Sequence, residues 1–312
     1  MKRHVAETLA FLGAFGKRLQ AASSANIVRA VDRIVASVVS ELVTWHRWAS
    51  LVSRLPLLTQ SSEHSGRENG QADRYHIQQI IETLQQTPNV DENRLASIEW
   101  HFIRLLDDDH GHAPKTLRKQ LSTSSAFFNG ILRVCDRHRD KDDESEVNQD
   151  PHRKYMAEHG FHLLHNWDLV PGTDENGVVN EKFLREWCSE ARAIALAADR
   201  LEVCDNHLGQ VFANSKQTDE NGAWPCLAIR CVAEEIKTKS LASGMSCGIH
   251  NSRGATFRAS RGDQERELQQ QYRTKAELIR FDSPFVAGIL DSVADGHQRE
   301  AAWWDERARW ED

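Results

Sequence analysis

Apolar side chains recur at steps of three and four residues through most of this 312-residue chain, the period of one face of an α-helix. Residues 4–22 have this pattern, and Ile27, Val31, Ile34, Val35, Val38, Leu42 and Val43 carry it up to Trp45-His46-Arg47-Trp48. Ile77, Ile80, Ile81 and Leu84 form a second face that stops at Thr87-Pro88. Asp91 stands where a cap is needed for a helix bearing Leu95, Ile98, Phe102 and Leu105. Pro114 stands at the next helix start, ahead of Leu117, Leu121, Phe127, Phe128, Ile131 and Leu132. Further helices are expected over Tyr155 to Trp167, after the cap Asn180, around Leu208, Val211 and Phe212, from Gln264 to Phe281, and from a Ser283 cap with Pro284 in the first turn.

The interruptions set the domain organisation. Residues 59–74 are polar and turn-rich and predict a linker, which separates amino-terminal helices over 1–58 from a helical domain over 75–312. Residues 136–153 are almost wholly charged or polar and predict a mobile loop within that domain. The turn Thr173-Asp174-Glu175-Asn176-Gly177 returns as Thr218-Asp219-Glu220-Asn221-Gly222, 45 residues later. Helix-pair repeats of the HEAT type have periods of about 40–47 residues. The expected fold is therefore all-α: stacked helical hairpins, as an α-solenoid or an irregular helical array. Within Asp219 to Arg266 the helical pattern breaks into a Gly-, Ser- and Arg-rich stretch, and 244–263 is read as a long loop.

Composition adds less. Hydrophobic residues at 40% and charged residues at 27% are those of an ordinary globular protein, and only seven prolines occur. The net charge of −7 is uneven: residues 1–60 hold eight basic and three acidic side chains. A basic arm of this kind is one route to nucleic acid. The charges Arg29, Asp32, Arg33 and Glu41 interrupt the most apolar stretch, so no membrane partner is expected. Six cysteines without paired CxxC units point to a reducing, cytoplasmic setting.

The candidate chemistry is sparse. Asp107, Asp109, His110 and His112 are metal-ligand types around Gly111, but neighbours in one loop rarely share a centre; no metal or cofactor is expected, with these four as the candidates. His159, His162 and His165 are not an HExxH motif. Cys247 and His250 lie in one expected loop without a nucleophile-elbow context. Trp224, Asn251, Arg253, Arg258, Arg261 and Arg266 are the candidate binding residues, because arginines before a helix start suit an anion or an acidic partner. The plainer alternative pairs these arginines with Glu234, Glu235, Glu300 and Asp305.

Several segments, taken in order, resemble the carboxy-terminal α-helical region of large, uncharacterised bacterial multidomain proteins. They are Asp91–Trp100 (DENRLASIEW), Val170–Gly177 (VPGTDENG), Asp205–Ser215 (DNHLGQVFANS), Asp219–Pro225 (DENGAWP), Gly262–Leu268 (GDQEREL) and Ser283–Asp295 (SPFVAGILDSVAD), a likeness spanning roughly residues 75–312. The resemblance implies membership of a larger assembly, one in defence against foreign DNA or phage, and carries over no catalytic residues. The expected function is a non-catalytic scaffold with another protein as partner. The alternatives are a nucleic-acid-binding helical protein, through the basic amino-terminal helices and the 253–266 arginines, and a metal-dependent hydrolase.

Overall fold

The computed structural model describes residues 67–106, 111–135, 151–253 and 261–311. The expected helices over 1–58, including Trp45 and Trp48, and the bulk of the 136–153 loop lie outside the described residues. Among the described residues there are eleven α-helices and no strands, an all-α helical array. No helix among them is long and apolar enough to cross a membrane. The chain divides into two compact units, Met1–Leu117 with Arg137–Asn166, and Arg118–Asp136 with Trp167–Asp312.

In the first unit, α1 (Arg67–Gln86) buries Ile81 and Leu84 and ends just before Thr87-Pro88, as its pattern predicts. The part of the expected 59–74 linker that is described, from Arg67 on, is helical. Asp91 caps α2 (Glu92–His101), its carboxylate accepting from the amides of Asn93 and Arg94 at 2.9 and 3.1 Å. Helix α2 is shorter than expected. A 3₁₀ turn over Ile103–Leu105 follows, and its tighter winding rotates the apolar face, so that Ile103 and Leu106 are buried rather than Phe102 and Leu105. Helix α3 (Lys115–Thr123) takes its cap from another helix: the buried Glu99 carboxylate accepts from the amides of Thr116 and Leu117 and from Gln85. Helix α5 (Pro151–His165) completes this unit, so residues 151–153 of the expected loop are helical.

In the second unit, which takes in α3 from Arg118 on, α4 (Ser125–Cys135) and α6 (Glu181–Ala197) are joined by an aromatic cluster. The rings of Phe128, Trp167 and Trp187 lie 5.2–5.9 Å apart, and the Trp167 indole N–H donates to the Ser122 hydroxyl. Asn180 caps α6 through the amide of Phe183. The two repeated turns adopt one geometry. Asp174 Oδ1 accepts from the amides of Asn176 and Val178, Asp219 Oδ1 from those of Asn221 and Ala223, and Gly177 and Gly222 have φ of +80° and +77°. That left-handed conformation is why glycine closes each turn.

Helices α7 (Leu201–Ala213) and α9 (Lys239–Asn251) form the most intimate helix pair. A Cβ on Gly244 would overlap the Asn206 carbonyl, and one on Gly209 would overlap the Leu241 carbonyl. At Gly248 it would lie 2.7 Å from the Ala213 methyl. The expected 244–263 loop is therefore helix from 244 to 251, and its glycines there serve backbone contact. Thr238 caps α9 and donates to the buried Asp205, which also takes Arg192 at 2.8 Å.

Helix α8 (Leu227–Ile236) carries Arg230, which is buried and donates to the Pro225 carbonyl, the Ser283 hydroxyl and the Asp219 carboxylate. Glu234 on the same helix accepts from the amides of Phe285 and Val286 at 2.7 and 3.1 Å, the first turn of α11 (Pro284–Glu311). The expected Ser283 cap is thus replaced by Glu234, because the Ser283 hydroxyl receives Arg230 instead. Helix α10 (Asp263–Ile279) lies along α11.

If glycine sets the α7–α9 distance, Gly244→Ala loses about 3 kcal/mol or more in urea unfolding, because the new methyl meets backbone. Gly288→Ala, exposed on α11 with nothing within 4 Å of its Cβ, gains about 0.5–1 kcal/mol. Equal behaviour of the two variants would count against the contact as the determinant.

Candidate functional site

The stretch that leaves α9 and enters α10 leads into a buried polar cluster on α11. Gly262, at the amino-terminal cap of α10, lies so close to Ala301 that a side chain would overlap the Ala301 carbonyl. Its amide donates to Asp305, and Arg266 bridges Asp305 and Asp263 at 2.6 and 2.5 Å. This clamp on the surface holds Glu265, in the first turn of α10, against the interior side of α11.

Glu265 is 2% exposed. Arg253 donates to both of its oxygens, Nη1 to Oε2 at 3.2 Å and Nη2 to Oε1 at 3.1 Å. The imidazole of His297, fully buried, places Nδ1 2.7 Å from Oε2. Burial pushes the Glu265 carboxyl up, but the hydrogen bonds from Arg253 and His297 outweigh it and leave its pKa below the ordinary value. Glu265 is therefore a carboxylate, Nδ1 of His297 carries the proton it donates, and Nε2 is the ring nitrogen left over. The Tyr272 ring stacks on His297 at 5.7 Å, and the His250 ring lies 5.4 Å away. Burial first, then the neighbouring His297, push His250 below its ordinary pKa.

One turn further along α11, Glu300 joins the cluster. A ring nitrogen of His297 and one oxygen from each of Glu265 and Glu300 lie within 4.8 Å of one another. His297 Nε2 and Glu300 Oε2 are both buried and, among the described residues, have no hydrogen-bond partner. A buried imidazole nitrogen and a buried carboxylate oxygen left in this state call for a water, a proton or a cation.

Of the residues expected to bind, only Arg253 belongs to this cluster. Arg266 is part of the surface clamp beside it, and Arg261 is exposed. Arg258 lies outside the described residues. Asn251, the last residue of α9, reaches back to the Cys247 sulfur at 3.6 Å. Trp224 is elsewhere, its indole N–H on the Ser215 carbonyl at 2.7 Å and Lys275 Nζ 4.8 Å from its ring centre. At the α10 start Asp263 and Glu265 place carboxylates, and Arg253 and Arg266 pair with acids.

Among the metal candidates, Asp107, Asp109 and His110 lie outside the described residues. His112 Nδ1 stands 3.7 Å from Glu82 in the first unit. His159 is packed against the Tyr155 ring and pushed down to about 4, chiefly by burial. Cys247 and His250 lie on a regular helix, with Cys247 exposed. Sequence reasoning missed Glu265 and His297. The available signal was His297-x-x-Glu300, two ligand-type side chains three apart on one helix face.

No family model matches the chain, and no curated protein or solved structure matches it.

The depressed pKa of Glu265 gives stability that is complete above its unfolded value near 4.5 and lost as pH falls through the lower folded value. Urea midpoints of the wild type and Glu265→Gln should therefore differ most near pH 7 and begin to converge only as pH falls below about 4.5. Arg253→Met, which strands a buried carboxylate, is expected to cost about 3 kcal/mol at pH 7.

Proposed function

We propose that this chain is a non-catalytic helical interaction module that contacts another protein through the final turns of α11. The observation that carries this reading is the pair Trp303 and Trp310, 52% and 84% exposed and seven residues apart on one helix face. Between them the Arg307 guanidinium lies over the Trp303 and Trp304 rings at 5.6 and 5.5 Å. Trp and Arg side chains dominate the energetics of protein interfaces, and anchors at i, i+4 and i+7 suit a helix laid into a groove. Large aromatic surface left in water is otherwise unfavourable, at about 25 cal/mol per Å².

The shared geometry of the two repeated turns supports stacked helical hairpins of the solenoid type as the scaffold. All six cysteines are free thiols, which supports a reducing, cytoplasmic setting. The sequence resemblance to bacterial multidomain proteins favours a place in a larger assembly. Pairing of Arg253 and Arg266 with acids favours a protein over a nucleic-acid partner for this surface.

A photo-crosslinking amino acid placed at 303 or 310, in the cells the sequence comes from, should yield one discrete protein adduct. The same group at exposed Leu196 should not. The adducted protein, purified, should bind wild type at least about tenfold more tightly than the double variant Trp303→Ala, Trp310→Ala, with both forms equally helical by circular dichroism. No adduct at either position, or equal binding by the double variant, would refute the reading.

A further inference from the structure

We infer, resting on the Trp303–Trp310 face being a protein interface, that its partner is a second copy of this chain. Helix α11 pairs antiparallel with α11 of that copy, and the two indoles of each copy fill a groove on the other. Gly288, Arg299 and Trp310 are spaced 11 residues apart, and so are Ser292 and Trp303. Eleven residues make about three turns, so these exposed positions stand in one nearly straight row along α11. The row is small at its amino-terminal end, cationic in the middle and aromatic at its carboxy-terminal end.

The small end is also the hollow end. Between α9 and α11 lies an open groove of about 470 Å³, walled by Ser243 and Ser246 on α9 and by Pro284, Phe285, Gly288 and Ser292 on α11. A two-fold axis lays one row on the other with its ends exchanged, so each copy gives two indoles and receives two. The middle of the row sets the register. Arg299 opposite its own copy is repulsive, whereas an axis level with His297 brings it opposite Asp295 of the second copy, whose side chain is half exposed beside Arg273. The same axis brings Trp303 beside the turn from Gly288 to Ser292 and Trp310 level with Pro284, both on the groove.

The area agrees with a dimer. The overlap from Pro284 to Trp310 is about 40 Å long at 1.5 Å per residue. With the α9 wall of the groove it forms a strip about 15 Å wide, roughly 600 Å² per copy and about 1,200 Å² in all, the lower end of a specific interface. Two aromatic anchors per copy on so small an area give a reversible dimer in the micromolar range. Head-to-tail use of the same surfaces would run on into fibres, so closure at two copies belongs to the antiparallel arrangement.

Sedimentation equilibrium of the full chain, from about 1 to 200 µM, tests the pairing. The mass should rise with concentration to twice that of one chain and stop there. The double variant Trp303→Ala, Trp310→Ala should associate at least about tenfold more weakly, with unchanged circular dichroism. So should Gly288→Trp, which fills the groove from an exposed position where a Cβ meets nothing within 4 Å. Mixing the two variants should restore part of the association, because one copy then keeps its indoles and the other its groove. Association that Gly288→Trp leaves unchanged, or a mixture no better than either variant alone, would overturn the pairing. A wild type that stays monomeric would overturn it too. If the crosslinker at 303 then captures a different protein, only the second copy is excluded and the face remains an interface.

Discussion

Helices α7 and α9 approach each other at a distance that only glycine permits, and much of the second unit is arranged by that contact. Gly209 on one helix and Gly244 and Gly248 on the other let the two backbones touch. The axis of α9 is then set, and with it the position of Arg253, two residues past the end of the helix. The polar ties at the other end of α9 follow from the same approach, since Thr238 reaches Asp205 and Asp205 reaches Arg192. Dispersion between closely packed backbones is small for each atom pair and large in sum, and any added methyl forfeits it along the whole seam.

A second constraint recurs in both units. Helix α3, which follows Pro114, and α11, which starts at Pro284, are each capped by a glutamate from a different helix: Glu99 receives the amides of Thr116 and Leu117, and Glu234 those of Phe285 and Val286. A buried helix start needs acceptors for its first amides, and a carboxylate near the positive end of the helix dipole is a strong one. Each such bond joins elements distant in sequence, so it acts as a tertiary tie as well as a cap. Arg230 does the cationic equivalent, joining the second repeated turn, the start of α8 and the start of α11.

The cluster around His297 differs from these ties in its unpartnered atoms. At Glu99, Glu234 and Arg230 the polar atoms meet protein partners. At His297 and Glu300 one atom each is buried without one among the described residues. Stability alone does not favour that state, since an apolar side chain of similar volume avoids the desolvation cost. Helix α11 thus carries a buried polar cluster and, farther along, the exposed rings of Trp303 and Trp310.

Local chemistry was legible in the amino-acid sequence wherever a short segment decides its own conformation. The three- and four-residue apolar periods give the all-α class, Asp91 and Asn180 are caps as their positions imply, and the duplicated Asp-Glu-Asn-Gly turn folds twice into one geometry. Each of these depends on neighbours within a turn of helix. The partners of charged residues did not yield to the same reasoning. Arg253 is a candidate binding residue by sequence, with pairing to an acid as the plainer alternative, and its partner is Glu265, outside the four acids that alternative names; the cap expected from Ser283 is provided by Glu234. Glycines 244 and 248 read locally as loop, because glycine's small size signals flexibility or close contact and only the facing helix decides which. Apolar period and turn chemistry by themselves determined the all-α class and the place of most helices, though not the helical state of 67–74 or 244–251. The tertiary structure alone decided which charges meet, which glycines carry contact and where His297 is buried, because those depend on groups brought together from other elements, 12 positions away for Arg253 and Glu265 and 51 for Glu234 and Phe285.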